Sequence, residues 1–155
     1  MTQTPPEGAA GAAGSRATVY NAQRIALVLV DHGSRFHAAN DMLADVAKLV
    51  QDLSGLERIY HAHMELAEPS IRQAFEAAVR DGATTVLYHP YFLSPGRHSM
   101  SDIPRMVAEA AQDFPGVAYC VTEPLGLHPK IGEVVLERAG LRAAPQDPIG
   151  GEGGR

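Results

Sequence analysis

At 155 residues and 45% hydrophobic content, the chain can bury the core of one domain of about 120 residues, which leaves no room for a second. A formal net charge of −5 with no block of Lys or Arg excludes a general nucleic-acid or membrane-surface binder, since attraction to polyanions needs a basic face. The single cysteine, Cys120, can form no internal disulfide and cannot supply the thiolates of an iron–sulfur cluster, so a reducing cytoplasm is the expected compartment.

In chain order, residues 1–23 are small and polar, lack the apolar run of a secretory signal, and carry Arg16 as their one basic residue; a flexible leader is expected. IALVLV (25–30) reads as a buried strand, and Met42, Leu43, Val46, Leu49, Val50 and Leu53 recur at helical spacing, predicting an amphipathic helix over about 38–53 that Ser54-Gly55 ends. A second strand is expected at 57–64. Glu68-Pro69-Ser70 opens a helix with Ile71, Phe75, Ala78 and Val79 on its apolar face, and Gly82 follows its end.

The third strand, about 84–91, leads into a loop with Pro95 and Gly96, after which Ser101 or Asp102 is expected to cap a helix carrying Pro104 in its first turn. Phe114-Pro115-Gly116 stops that helix. A short strand at 117–121 and a last helix at about 128–140 complete the pattern, and 142–155 is expected to be a flexible tail. No apolar run reaches the roughly 20 residues needed to span a bilayer. Strands alternating with helices specify an α/β fold: one three-layer domain over 24–141, with a parallel four-stranded sheet and right-handed crossovers.

Parallel strands would bring their carboxyl ends to one edge, where open α/β sheets bind ligands. Three potential metal ligands sit just past three of the apolar runs: His32, Glu65 and His98. Two imidazoles and a carboxylate suit iron, cobalt, nickel or zinc. His32 stands in DHGSR, where Gly33 allows a sharp turn, and His98 stands in the loop SPGRHS, again beside glycine and arginine. Glu68 reads better as a charge at a helix N-terminus. His61 and His63 share the parity of Glu65 on an extended strand and so face the same side, as ligands or as core or interface histidines. His37, His89 and His128 need no special chemistry. Ser34 follows His32 too closely for a nucleophile elbow, and the chain has no nucleotide cradle, so ATP dependence is not expected.

Four segments, VDHGSR (30–35), AHMELAEPSI (62–71), YFLSPGRHSMSDIP (91–104) and EPLGLHP (123–129), occur in an order that resembles the small sirohydrochlorin chelatases, the CbiX/SirB type of class II chelatase. The resemblance spans about residues 25–138. It implies insertion of Co²⁺ or Fe²⁺, with Ni²⁺ also possible, into sirohydrochlorin on the route to cobalamin or sirohaem, without ATP or another cofactor. Residue by residue, His32 and His98 match the family's paired metal-site histidines and Glu65 the acidic residue that joins them. Ser34, Arg35 and Arg97 match flanking loop positions and are expected to meet tetrapyrrole carboxylates in a locally basic mouth. The short family members assemble as homodimers, which is the assembly implied here. Tyr91, Phe92, Leu93 and Met100 are expected at the interface or in the core. A non-catalytic metal or tetrapyrrole carrier using the same crevice is the alternative from another class.

Overall fold

The computed structural model describes residues 24–94 and 96–142, the side chains of residues 97–99 excepted. The expected leader and most of the expected tail lie outside the described residues. Four strands and four helices alternate: β1 (Ile25–Asp31), α1 (His37–Ser54), β2 (Ile59–His63), α2 (Ile71–Arg80), β3 (Thr85–Pro90), α3 (Arg97–Ala111), β4 (Ala118–Val121) and α4 (Pro129–Arg138). All strand pairs are parallel, in the order β2-β1-β3-β4.

Strand alternation sorts the side chains into two cores. Val28, Val30, Ala62, Val86 and Tyr88 face α2 and α3, where Ile71, Phe75, Ile103 and Val107 meet them. Tyr88 stacks on Phe75 and gives its buried hydroxyl a partner by donating to the Ile71 carbonyl, 2.9 Å. The opposite residues, Leu27, Leu29 and Ile59, face α1 through Leu43, Val46, Ala47 and Val50. The apolar stripe of α1 is wider than the face it buries: Met42, Leu49 and Leu53 point outward. α4 has no buried residue at all, and most of β4 is exposed.

α2 begins with a full capping box: Ser70 accepts from the Gln73 amide at 3.2 Å while the Gln73 side chain accepts from the Ser70 amide at 2.7 Å. α3 departs from expectation. It begins at Arg97 with Gly96 as its N-cap, four residues before Ser101, so Pro104 lies inside the helix and not in its first turn. Pro104 is exposed, and the carbonyl that its missing N–H leaves unbonded can be met by water on that side.

This topology positions the site. The chain leaves β1 toward α1 on one face and leaves β3 toward α3 on the other, so a crevice opens between the carboxyl ends of these two adjacent strands.

Candidate active site

The site grows from two touching loops. After Asp31 the chain turns through His32 and Gly33, whose φ of +86° is in the left-handed region. A Cβ on Gly33 would sit 1.9 Å from the Glu65 carbonyl oxygen, so only glycine lets the loops after β1 and β2 approach this closely. The Met64 amide donates to the Asp31 carbonyl at 2.9 Å and the Glu65 amide to the His32 carbonyl at 3.1 Å, continuing the sheet pairing past its end. Glu65 itself has left the strand. β2 stops at His63, and Leu66, with φ of +65°, turns the chain back. The expectation that Glu65 shares a strand face with His61 and His63 is therefore not met, because the strand ends two residues early.

The turn delivers Glu65 to His32 all the same. His32 Nε2 lies 3.2 Å from Glu65 Oε1, and both side chains are about 59% exposed at the mouth of the crevice. Two ligands each ~2.1 Å from one cation are about 3.0–3.4 Å apart in octahedral or tetrahedral coordination. The pair is already spaced to share a divalent ion. His98 is the second residue of α3, in its first turn and not in a preceding loop as expected. Its side chain and that of Arg97 lie outside the described residues. Of the three expected ligands the structure thus brings two together, and among the described residues no group of three or more His, Cys, Asp and Glu is set to hold a metal.

A cleft of about 470 Å³ opens beside these loops, lined by Ser34, Arg35, His37, His61, His63 and Glu68 among others. Ser34 is fixed by Asn40, whose side-chain oxygen accepts from the Ser34 amide at 2.9 Å and whose nitrogen donates to the Ser34 carbonyl at 2.8 Å. The N-cap of α1, Phe36, offers no side chain to the helix's first amides, of which the Ala39 amide donates to the Phe36 carbonyl at 3.1 Å, and the positive end of the helix dipole lies here. The cleft is not uniformly basic as expected: Arg35 is accompanied by Asp41 and Glu68.

The histidines divide by environment. His61 is half-buried, and burial, then neighbouring His63, push its pKa below the usual 6.5, with Asp31 opposing. His63 is wholly buried, its Nδ1 2.5 Å from Asp31 Oδ1, while its Nε2 has no partner among the described residues. His89 hydrogen-bonds Thr122 Oγ1 at 2.8 Å, and burial lowers its pKa. His128 caps α4 by accepting from the Lys130 amide. Of the three histidines expected to need no chemistry, His37 alone reaches the cleft. His63 takes the core alternative expected for it, whereas Asp31 and Asn40 were missed; the signal for Asp31 is its pairing with His63 across β1 and β2, which parity within one strand cannot show.

Comparison with known proteins places the chain in a family. The CbiX family model matches residues 26–140. The chain is 46% identical over 112 residues to the chloroplastic sirohydrochlorin ferrochelatase of Arabidopsis thaliana, covering 72% of this chain and 50% of that protein, so it spans about half the length of that relative. It is 29% identical to the sirohydrochlorin cobaltochelatase of Methanopyrus kandleri, covering 74% of this chain and 94% of that one. Among solved structures, sirohydrochlorin chelatase SirB from Bacillus subtilis subspecies spizizenii in complex with cobalt superposes with a TM-score of 0.70 at 29% identity, over 76% of this chain and 50% of that chain. A CbiX protein of Marinobacter aquaeolei gives 0.65 at 28% identity, over 75% and 94%.

Proposed function

The chain belongs to the CbiX family, and on that premise we propose that it is a sirohydrochlorin chelatase, a lyase that inserts Co²⁺ or Fe²⁺ into the macrocycle. The observation that carries the reading is the His32–Glu65 pair, spaced for one cation at the carboxyl edge of the sheet and open to solvent. Exposure matters because a substrate metal must enter, exchange ligands and leave. His32, Glu65 and His98 hold the ion, with Ni²⁺ a further candidate, since affinity at such a site follows the general order of divalent metals and supply decides among them.

Metallation places one M²⁺ on the ring nitrogens and releases two pyrrole protons. Once the cation passes to the macrocycle, the imidazole and carboxylate that held it become free bases in place, so the same groups serve as ligands before transfer and acceptors after it. Ser34, Arg35 and the first amides of α1 supply donors for the macrocycle's carboxylates, and Arg97, the first residue of α3, is a candidate for a further one. Neither ATP nor another cofactor enters this scheme.

A single crevice offers a large macrocycle one wall, and a homodimer supplies the other. Leu93, Met100 and Leu127 are exposed near the carboxyl edge, and Val134 and Val135 are exposed on α4, where a second copy can cover them. Tyr91 and Phe92, by contrast, pack against the two cores. A reducing cytoplasm suits the exposed, unpaired Cys120, and no described helix is long and apolar enough to cross a membrane.

The test is anaerobic turnover of sirohydrochlorin with Fe²⁺, Co²⁺ and Ni²⁺ at equal free metal. Conversion of many equivalents per site is expected with at least one metal; conversion that stops near one equivalent would make the protein a carrier.

A further inference from the structure

We infer that His63 is a positioning residue for the metal site, acting through Asp31 on the turn that carries His32; the inference rests on the reading of His32 and Glu65 as metal-binding residues. Among the described residues, His63 is the one ionisable side chain other than the Tyr88 phenol that is buried, at 1% exposure. An imidazole is costly to bury without a hydrogen bond, and this ring makes one, from Nδ1 to Asp31 Oδ1 at 2.5 Å. A carboxylate oxygen accepts, so the tautomer that satisfies this contact has Nδ1 as the donor.

The same Asp31 oxygen accepts from the Gly33 amide at 2.9 Å. One oxygen thus takes a donor from the end of β2 and a donor from the turn after β1, and the second bond joins the two residues that flank His32 in the chain. The backbone bonds from Met64 to Asp31 and from Glu65 to His32 close the arrangement, and the His63 amide donates to the Pro69 carbonyl at 2.8 Å, anchoring β2 to the start of α2. Removing the imidazole donor frees the Asp31 carboxylate to rotate toward solvent, since its side chain is 25% exposed, and releases the Gly33 amide. The spacing of His32 and Glu65 then loses one of its determinants. Partners that orient metal ligands in this way typically change metal affinity about 10–100-fold when removed.

The substitutions separate a brace from mere filling of the core. His63→Leu keeps bulk but has no donor; His63→Asn places an amide nitrogen near the position of Nδ1. Two readouts on the metal-free full chain are used: Co²⁺ affinity by calorimetric titration, and the hydrogen-exchange rate of the Gly33 amide by nuclear magnetic resonance. His63→Leu is expected to weaken Co²⁺ binding at least about tenfold and to speed Gly33 exchange relative to β1 core amides, while His63→Asn stays within about threefold of wild type. Asp31→Ala, which alters a partly exposed residue, should reproduce the loss even if His63→Leu does not fold. Wild-type Co²⁺ affinity in Asp31→Ala or His63→Leu, alongside its loss in His32→Ala, would overturn the inference and leave the metal site standing. Wild-type affinity in His32→Ala would instead remove the metal site itself, and this inference with it. An Asn variant as impaired as Leu would also overturn it, because the hydrogen bond would then not be the active feature.

Discussion

His32 and Glu65 come from different strands and meet because Gly33 has no side chain to keep their loops apart. His32→Ala and His98→Ala are each expected to lower metallation at least about tenfold, roughly 1.4 kcal/mol of transition-state stabilisation, with the circular dichroism spectrum unchanged. Glu65→Gln should impair turnover more than Glu68→Gln, because Glu65 faces His32 whereas Glu68 lies against Gln73; the reverse order would reassign the carboxylate. His61 and His89 set a pH dependence. Each has a folded pKa below its unfolded 6.5, so the unfolded chain binds more protons as the pH falls. Their stability contribution is complete above pH ~6.5 and is lost as pH drops toward their folded values. Denaturant midpoints should therefore fall below that pH, with a shallower fall in His61→Gln and His89→Gln. At this scale the meeting of His32 and Glu65 was legible because histidine and glutamate just past apolar runs have few other reasons to recur. The contact between Asp31 and His63 was hidden because it depends on register between two strands, the residues lying 32 apart in the chain.

The elements were legible wherever one signal dominated. α1 was expected at 38–53 and occupies His37–Ser54, with Gly55 in the left-handed conformation closing it. The start of α3 was missed because two patterns competed: Ser101-Asp102 followed by Pro104 resembles a capped first turn, yet Gly96 already provides the extended N-cap residue and the helix runs through the proline on its solvent side. The correction matters, since it moves His98 from a loop onto a helix. α2 shows the opposite case, in which local chemistry was sufficient. Ser70→Ala should cost about 1 kcal/mol by removing an N-cap acceptor, measurable as a lower denaturant midpoint with unchanged slope. Because Ser70 also forms a bridge with His63, the same variant should speed amide exchange at the end of β2. A variant with an unchanged midpoint would show that the cap is redundant.

For the whole molecule, the class and strand count follow from alternating apolar runs, whereas the order β2-β1-β3-β4 does not, because crossovers are long-range choices made by packing on both faces. The exposed apolar side chains on α4 and beside the crevice carry the assembly prediction. Light scattering at micromolar concentration should give about twice the 16.5 kDa of one chain. Leu127→Asp combined with Val135→Glu should shift it toward monomer without unfolding it, since both side chains are exposed in the single chain. A wild-type monomer with full turnover would dismiss the shared wall while leaving the proposed role of His32 and Glu65 standing. α4 has a consequence of its own. With no residue buried against its own sheet, it is held in one chain by little beyond its capping bonds and covalent attachment, so it should open far more readily than β1 or α2. Its amide protons should exchange fast in dilute protein and slow as concentration rises, while those of Val28 and Val30 should not respond. The last helix would then act as a reporter of assembly, its protection rising with the fraction of chains that have found a partner.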